Sequence, residues 1–108
     1  LLSRRQRQMC IRDSRGCNMA FWKEDLLRVN GYNESLEMWG QEDVEISYRL
    51  IHAGIQKKQL KMGGVQFHLY HKFASRENLE YHEQVLRQVI AERIVWCENG
   101  IVKEGRKV

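Results

Sequence analysis

The chain has 108 residues, enough for one domain of ordinary size. Hydrophobic residues make up 43% and charged residues 30%, which excludes wholesale disorder, and the absence of proline excludes Pro-rich linkers and collagen-like repeats. The longest apolar runs, such as Met19–Trp22, are too short to span a bilayer, and none reads as a signal-peptide core. Cys10, Cys17 and Cys97 include no CxxC pair, which supports neither a disulfide framework nor a zinc knuckle. With Leu rather than Met at position 1, the sequence reads as starting inside a longer one.

The formal net charge of +4 invites a nucleic-acid reading. Residues 1–14, LLSRRQRQMCIRDS, hold four arginines against one aspartate, which leaves 14 basic and 13 acidic residues in the remainder. The excess sits in a short head, and the body promises no basic face for a phosphate backbone. The head lacks a sustained period, a cap and turn chemistry, and its wording resembles translated adapter or vector read-through. Residues 1–14 are therefore read as a non-native or disordered basic head, with a genuine basic arm as the alternative.

Cys17–Trp22 is a short apolar run with Phe and Trp and reads as a buried strand. Lys23–Val29 follows as a short helix, with Glu24 and Asp25 at the positive end of its dipole and Asn30-Gly31 as its stop. Tyr32–Gly40 is a loop. Gln41–Ala53 is the clearest helix, with Val44, Tyr48 and Ile51 on one stripe and Gly54 as its stop. Gln56–Lys61 reads as a polar edge strand, Met62-Gly63-Gly64 as a turn, and Val65–Tyr70 as a strand of period two. Ser75 is placed to cap a helix over Arg76–Val95, and Trp96–Val102 forms a last strand or an irregular tail. The order is α/β, too short for a complete doubly wound sheet.

Met38–Leu50, MWGQEDVEISYRL, puts Glu42 and Asp43 where loop becomes helix. One reading makes them dipole partners in the first turn, with Glu45 pairing to Arg49 at i,i+4. The other makes Trp39 the wall of a pocket whose carboxylates face a polyhydroxylated ligand, with Asp43 as a general base. His68 and His71, in FHLYHK, have a spacing that suits a divalent metal but leaves the site incomplete. His52 and His82 read as solvated.

Four pieces, NMAF, NGYNE, WGQED and HLYH, give residues 15–72 a resemblance to the C-terminal half of a family 2-type glycosyltransferase. The region is similar to the galactosyltransferase-like C-terminal part of bacterial polysaccharide and lipopolysaccharide enzymes. The resemblance implies the incomplete mixed sheet and flanking helices of a GT-A fold over residues 15–102, with 103–108 as a tail. It implies an inverting, metal-dependent transferase moving a sugar from a nucleotide-diphosphate donor to a glycan acceptor. Asp43 would be the catalytic base. Trp39, Gly40 and Glu42 would bind the acceptor. His71 or His68 would bind Mn²⁺ or Mg²⁺, and Asn18 and Met19 would lie near the donor. Gln41 stands where close relatives often have Gly.

No Asp-x-Asp occurs in the sequence. The expectation is therefore an enzyme fragment, inactive alone, located in the cytoplasm or at the inner face of the membrane. Two rivals stay open: a non-catalytic carbohydrate- or protein-binding module, and a small basic nucleic-acid binder using residues 4–12 and Lys57-Lys58.

Overall fold

The computed structural model describes residues 19–58, 69–70, 72 and 75–103, and these form three helices and no strand. Helix α1 spans Lys23–Arg28, α2 spans Glu42–His52 and α3 spans Leu79–Glu92. Helices α2 and α3 pack against each other.

Each helix stops for a local reason. Asn30, with φ 64°, follows α1; its N–H donates to Leu27 O at 3.2 Å and the Gly31 N–H to Leu26 O at 2.8 Å. These paired return bonds satisfy carbonyls that the helix leaves open. Gly54, with φ 83°, does the same for α2: its N–H donates to Ile51 O and the Ile55 N–H to Leu50 O, both at 3.0 Å. Arg28 Nη2 reaches Ala53 O at 3.1 Å and ties the end of α1 to that of α2. At the end of α3, Arg93 takes φ 52° and the Ile94 N–H returns to Val89 O. Helix α3 begins later than the sequence suggests. Asn78 occupies its cap position without a side-chain bond, while Ser75 Oγ accepts from the Glu77 N–H at 3.3 Å.

The core gathers Val29, Ile46 and Leu50, with Phe21, Leu26, Ala53, Ile55 and Val95 packed around them. An ion pair is buried beside it. Arg49 is 0% exposed and Glu45 1%. Arg49 Nε and Nη2 each donate to a Glu45 carboxylate oxygen at 2.7 Å, and Nη1 donates to Val29 O at 2.7 Å. The i,i+4 pairing of Glu45 and Arg49 is thus present, in a buried and bidentate form.

The last described segment folds back onto the end of α1. The Cys97 N–H donates to Val29 O at 3.2 Å and the Ile101 N–H to Asn30 O at 2.9 Å. The Asn30 side chain closes the joint. Its Nδ2 donates to Cys97 O and Val102 O, and its Oδ1 accepts from the Val102 N–H at 2.7 Å. Gly100 lies so close to Asn30 that a Cβ there would collide with the Asn30 carbonyl. Lys103 pairs with Glu34. Trp96–Val102 is therefore an irregular tail held by main-chain bonds and by the Asn30 side chain.

The expected α/β class, with the incomplete mixed sheet of a GT-A fold, is corrected here. Residues 19–22 and 56–58 are not strands, and neither are Leu69 and Tyr70, which are exposed. Trp22 is 77% exposed and sits in extended backbone as the residue preceding α1, not within a ladder. Apolar runs and alternation favour a strand only when a neighbour pairs with its N–H and C=O groups. Residues 59–68, which contain the remaining strand expectations, lie outside the described residues, as do Cys17 and Asn18 of the Cys17–Trp22 run.

The buried pair makes a direct prediction. Arg49→Met strands the Glu45 charge and removes a donor from Val29 O, so it should cost about 3–5 kcal/mol. Glu45→Met together with Arg49→Met should recover much of that loss, because no unpaired charge remains. Urea unfolding followed by far-UV circular dichroism checks this. A double variant no more stable than Arg49→Met would contradict the account.

Candidate functional site

The backbone from Met38 to Gln41 is unusual. Met38 has φ 70°, Gly40 φ 126° and Gln41 φ 56°. Left-handed backbone costs a non-glycine residue roughly 1–2 kcal/mol, so the surroundings must hold this loop in shape. Trp39 N–H donates to Ser75 O at 3.2 Å. Gly40 O accepts from the Glu42 N–H at 2.8 Å and from His82 Nδ1 at 3.0 Å. A carbonyl oxygen only accepts, so Nδ1 of His82 carries the proton.

His82 lies on α3 and is buried, and its Nε2 has no hydrogen-bond partner among the described residues. A Cβ at position 40 would come within 3.0 Å of Leu79 Cδ1 and 3.4 Å of His82 Nδ1. Gly40 is what lets α3 close on the loop. The expectation that His82 and His52 are solvated is therefore corrected. His52 is half-buried, with Nδ1 2.9 Å from Ile94 O. Both rings act as ties between segments distant in sequence.

Trp39 is presented at the surface by this loop and is 41% exposed. The Arg76 guanidinium lies 4.2 Å from the centroid of the indole ring, a cation–π contact. Glu42 and Asp43, both half-buried, open the first turn of α2 together with Glu45. Asp43 Oδ1 accepts from the Val44 N–H at 2.7 Å, and Ser47 Oγ donates to Asp43 O at 2.7 Å. Tyr32 belongs to the same region. Burial pushes its phenol pKa up, and the charges of Asp43 and Glu42 add to that shift. The Phe21 and Tyr32 rings meet edge to face with centroids 6.3 Å apart.

Trp39, Gly40, Glu42 and Asp43 are neighbours in the sequence itself; what the structure adds beside them is Arg76, Tyr32 and His82. Nothing in the spacing pointed to Arg76 or His82; Tyr32 lay in NGYNE without a role. Met19 is half-buried and precedes α1. Asn18, His68 and His71 lie outside the described residues. Among the described residues, no group of three or more His, Cys, Asp or Glu side chains is arranged to hold a metal ion. No helix among them is long and apolar enough to cross a membrane.

Gly40→Ala should lower stability by about 1–3 kcal/mol, since it adds a Cβ both in positive-φ backbone and against Leu79. His82→Ala should also cost about 1–3 kcal/mol by leaving Gly40 O short of a donor. His82→Asn should cost less, because its Nδ2 can replace the lost donor. Thermal and urea unfolding of the three variants provide the check; equal losses for the two His82 variants would mean that the ring acts by packing alone.

A family model described as the N-terminal domain of galactosyltransferase matches residues 3–72. No solved structure matches the chain significantly. The match corrects the resemblance to the C-terminal half of a family 2-type, GT-A enzyme, because the model that fits is described as an N-terminal domain and the described residues form helices without a strand. The expected fragment of an inverting glycosyltransferase of GT-A type rested on that sheet and falls with it. The nucleotide-sugar donor and the glycan acceptor of such an enzyme are withdrawn as partners on the same grounds.

Proposed function

The chain belongs to the family described as the N-terminal domain of galactosyltransferase, and on that premise we propose that it is a non-catalytic carbohydrate-binding module. The observation that carries the reading is Trp39, a half-exposed indole set in a constrained loop immediately before an acidic helix start. The C–H face of a sugar is apolar and packs on the electron-rich face of an aromatic ring. Sugar hydroxyls donate to carboxylates and accept from a guanidinium. Arg76 over the indole and Glu42 and Asp43, in the helix turn that follows it in the chain, supply both kinds of partner. A loop fixed by His82 and Ser75 limits the ordering cost of binding. In this reading Asp43 orients a hydroxyl and takes no proton from it.

Titrating the whole chain with galactose-, glucose- and N-acetylglucosamine-terminated oligosaccharides, followed by tryptophan fluorescence and calorimetry, tests the proposal. Saturable binding in the millimolar range is expected for at least one probe, and Trp39→Ala should weaken it about tenfold or more, equivalent to about 1.4 kcal/mol. Asp43→Asn should weaken it less, because the amide keeps one acceptor oxygen. Absence of saturable binding across the panel, or binding unchanged by Trp39→Ala, defeats the reading. Salt-sensitive binding of duplex DNA in place of sugar would favour the basic-binder alternative.

A further inference from the structure

Two Asn-Gly steps, Asn30-Gly31 and Asn99-Gly100, meet in one joint. Gly31 and Gly100 are both buried, but the two asparagine side chains have opposite surroundings. Asn30 is 1% exposed, its amide is held by Cys97 O, Val102 O and the Val102 N–H, and the Gly31 N–H is engaged by Leu26 O. Asn99 is exposed, and neither its side-chain amide nor the Gly100 N–H makes a hydrogen bond among the described residues. The Asn99 main-chain oxygen, by contrast, accepts from the Glu34 N–H at 2.9 Å.

We propose that Asn99 is a site of spontaneous deamidation, and that its conversion to isoaspartate releases the C-terminal segment from the end of α1. The chemistry needs only water. Hydroxide removes the Gly100 amide proton, and the nitrogen attacks Asn99 Cγ. The new N–Cγ bond closes a five-membered imide as the Cγ–Nδ2 bond breaks, and the side-chain nitrogen leaves as ammonia with protons from water. A second water opens the imide at either carbonyl, giving aspartate or isoaspartate. Glycine in the following position favours ring closure because no side chain shields its nitrogen and its backbone reaches the required geometry. At Asn30 the same closure is blocked while the joint is intact, since both the leaving amide and the attacking nitrogen are held in hydrogen bonds.

Isoaspartate adds one methylene to the main chain between positions 99 and 100. The joint has no slack for it. Gly100 lies against the Asn30 carbonyl too closely to accept even a Cβ. The bonds from Glu34 N–H to Asn99 O and from Ile101 N–H to Asn30 O bracket the inserted atom on either side. The product also places a carboxylate next to Glu98. Once the segment is released, Asn30 loses its protecting partners and becomes a slower, second site.

The test incubates the folded 108-residue chain in mildly alkaline buffer. Peptide mapping by mass spectrometry, with isoaspartyl methyltransferase labelling, reads both sites over time. Asn99 should convert on the order of tenfold faster than Asn30 in the folded chain, and the ratio should fall towards one in denaturant, where both steps are open. Amide hydrogen exchange on the separated isoaspartate form should show lost protection at Ile101 and Val102. The Asn99→Gln chain, incubated alongside, should keep that protection. Equal folded-state rates at the two sites, or no conversion at Asn99, overturn the site. Retained protection in the isoaspartate form overturns the release.

Discussion

The Val29 carbonyl oxygen is the point on which the described structure depends. It accepts from Arg49 Nη1 at 2.7 Å and from the Cys97 N–H at 3.2 Å, which uses both of its lone pairs. Through that atom the end of α1 is bound to α2 and to the returning C-terminal segment. A guanidinium cannot be buried without partners, because its desolvation is costly. Here Glu45 takes two of its five N–H donors and Val29 a third, so that each of its three nitrogens is engaged. The charge thus fixes where α1 ends relative to α2 more tightly than the small cluster of Val29, Ile46 and Leu50 could alone.

Helix α3 performs a parallel service for the site loop. Left-handed backbone at Met38 and Gln41 persists because Ser75 and His82 hold the neighbouring main-chain groups and because Gly40 admits α3 at close range. The result is an indole presented at the surface by backbone with little freedom. Arg76, just ahead of α3, then lies over the ring. The two helices that pack together therefore determine which way Trp39 faces and what charge surrounds it.

What the sequence revealed was what local chemistry controls. Asn30-Gly31 and Gly54 mark the ends of α1 and α2 because only residues tolerant of positive φ serve there. The spacing of Glu45 and Arg49 announced their pairing, although nothing local announced its burial. At residues 19–22, 56–58 and 69–70 no strand forms, because an apolar run or a period of two describes a residue pattern and says nothing about a ladder partner. His82 was misread because its partner, Gly40 O, lies 42 positions away. The motif-level likeness failed in a related way. WGQED identified a stretch of consecutive residues, and four such stretches did not fix the architecture around them.

The joint at Asn30 also bears on the order in which the fold is made. The Glu45–Arg49 pair spans four positions and can form as soon as α2 winds. The bonds from Asn30 Nδ2 to Cys97 O and Val102 O span 67 and 72 positions in a chain of 108. Closing so large a loop must overcome chain entropy before its contacts give anything back. Helix α2 therefore forms early and cheaply, whereas the α1–C-terminal closure belongs to the late side of the folding barrier. During synthesis the end of α1 waits, its Asn30 amide still facing water, until Cys97 and Val102 have left the ribosome.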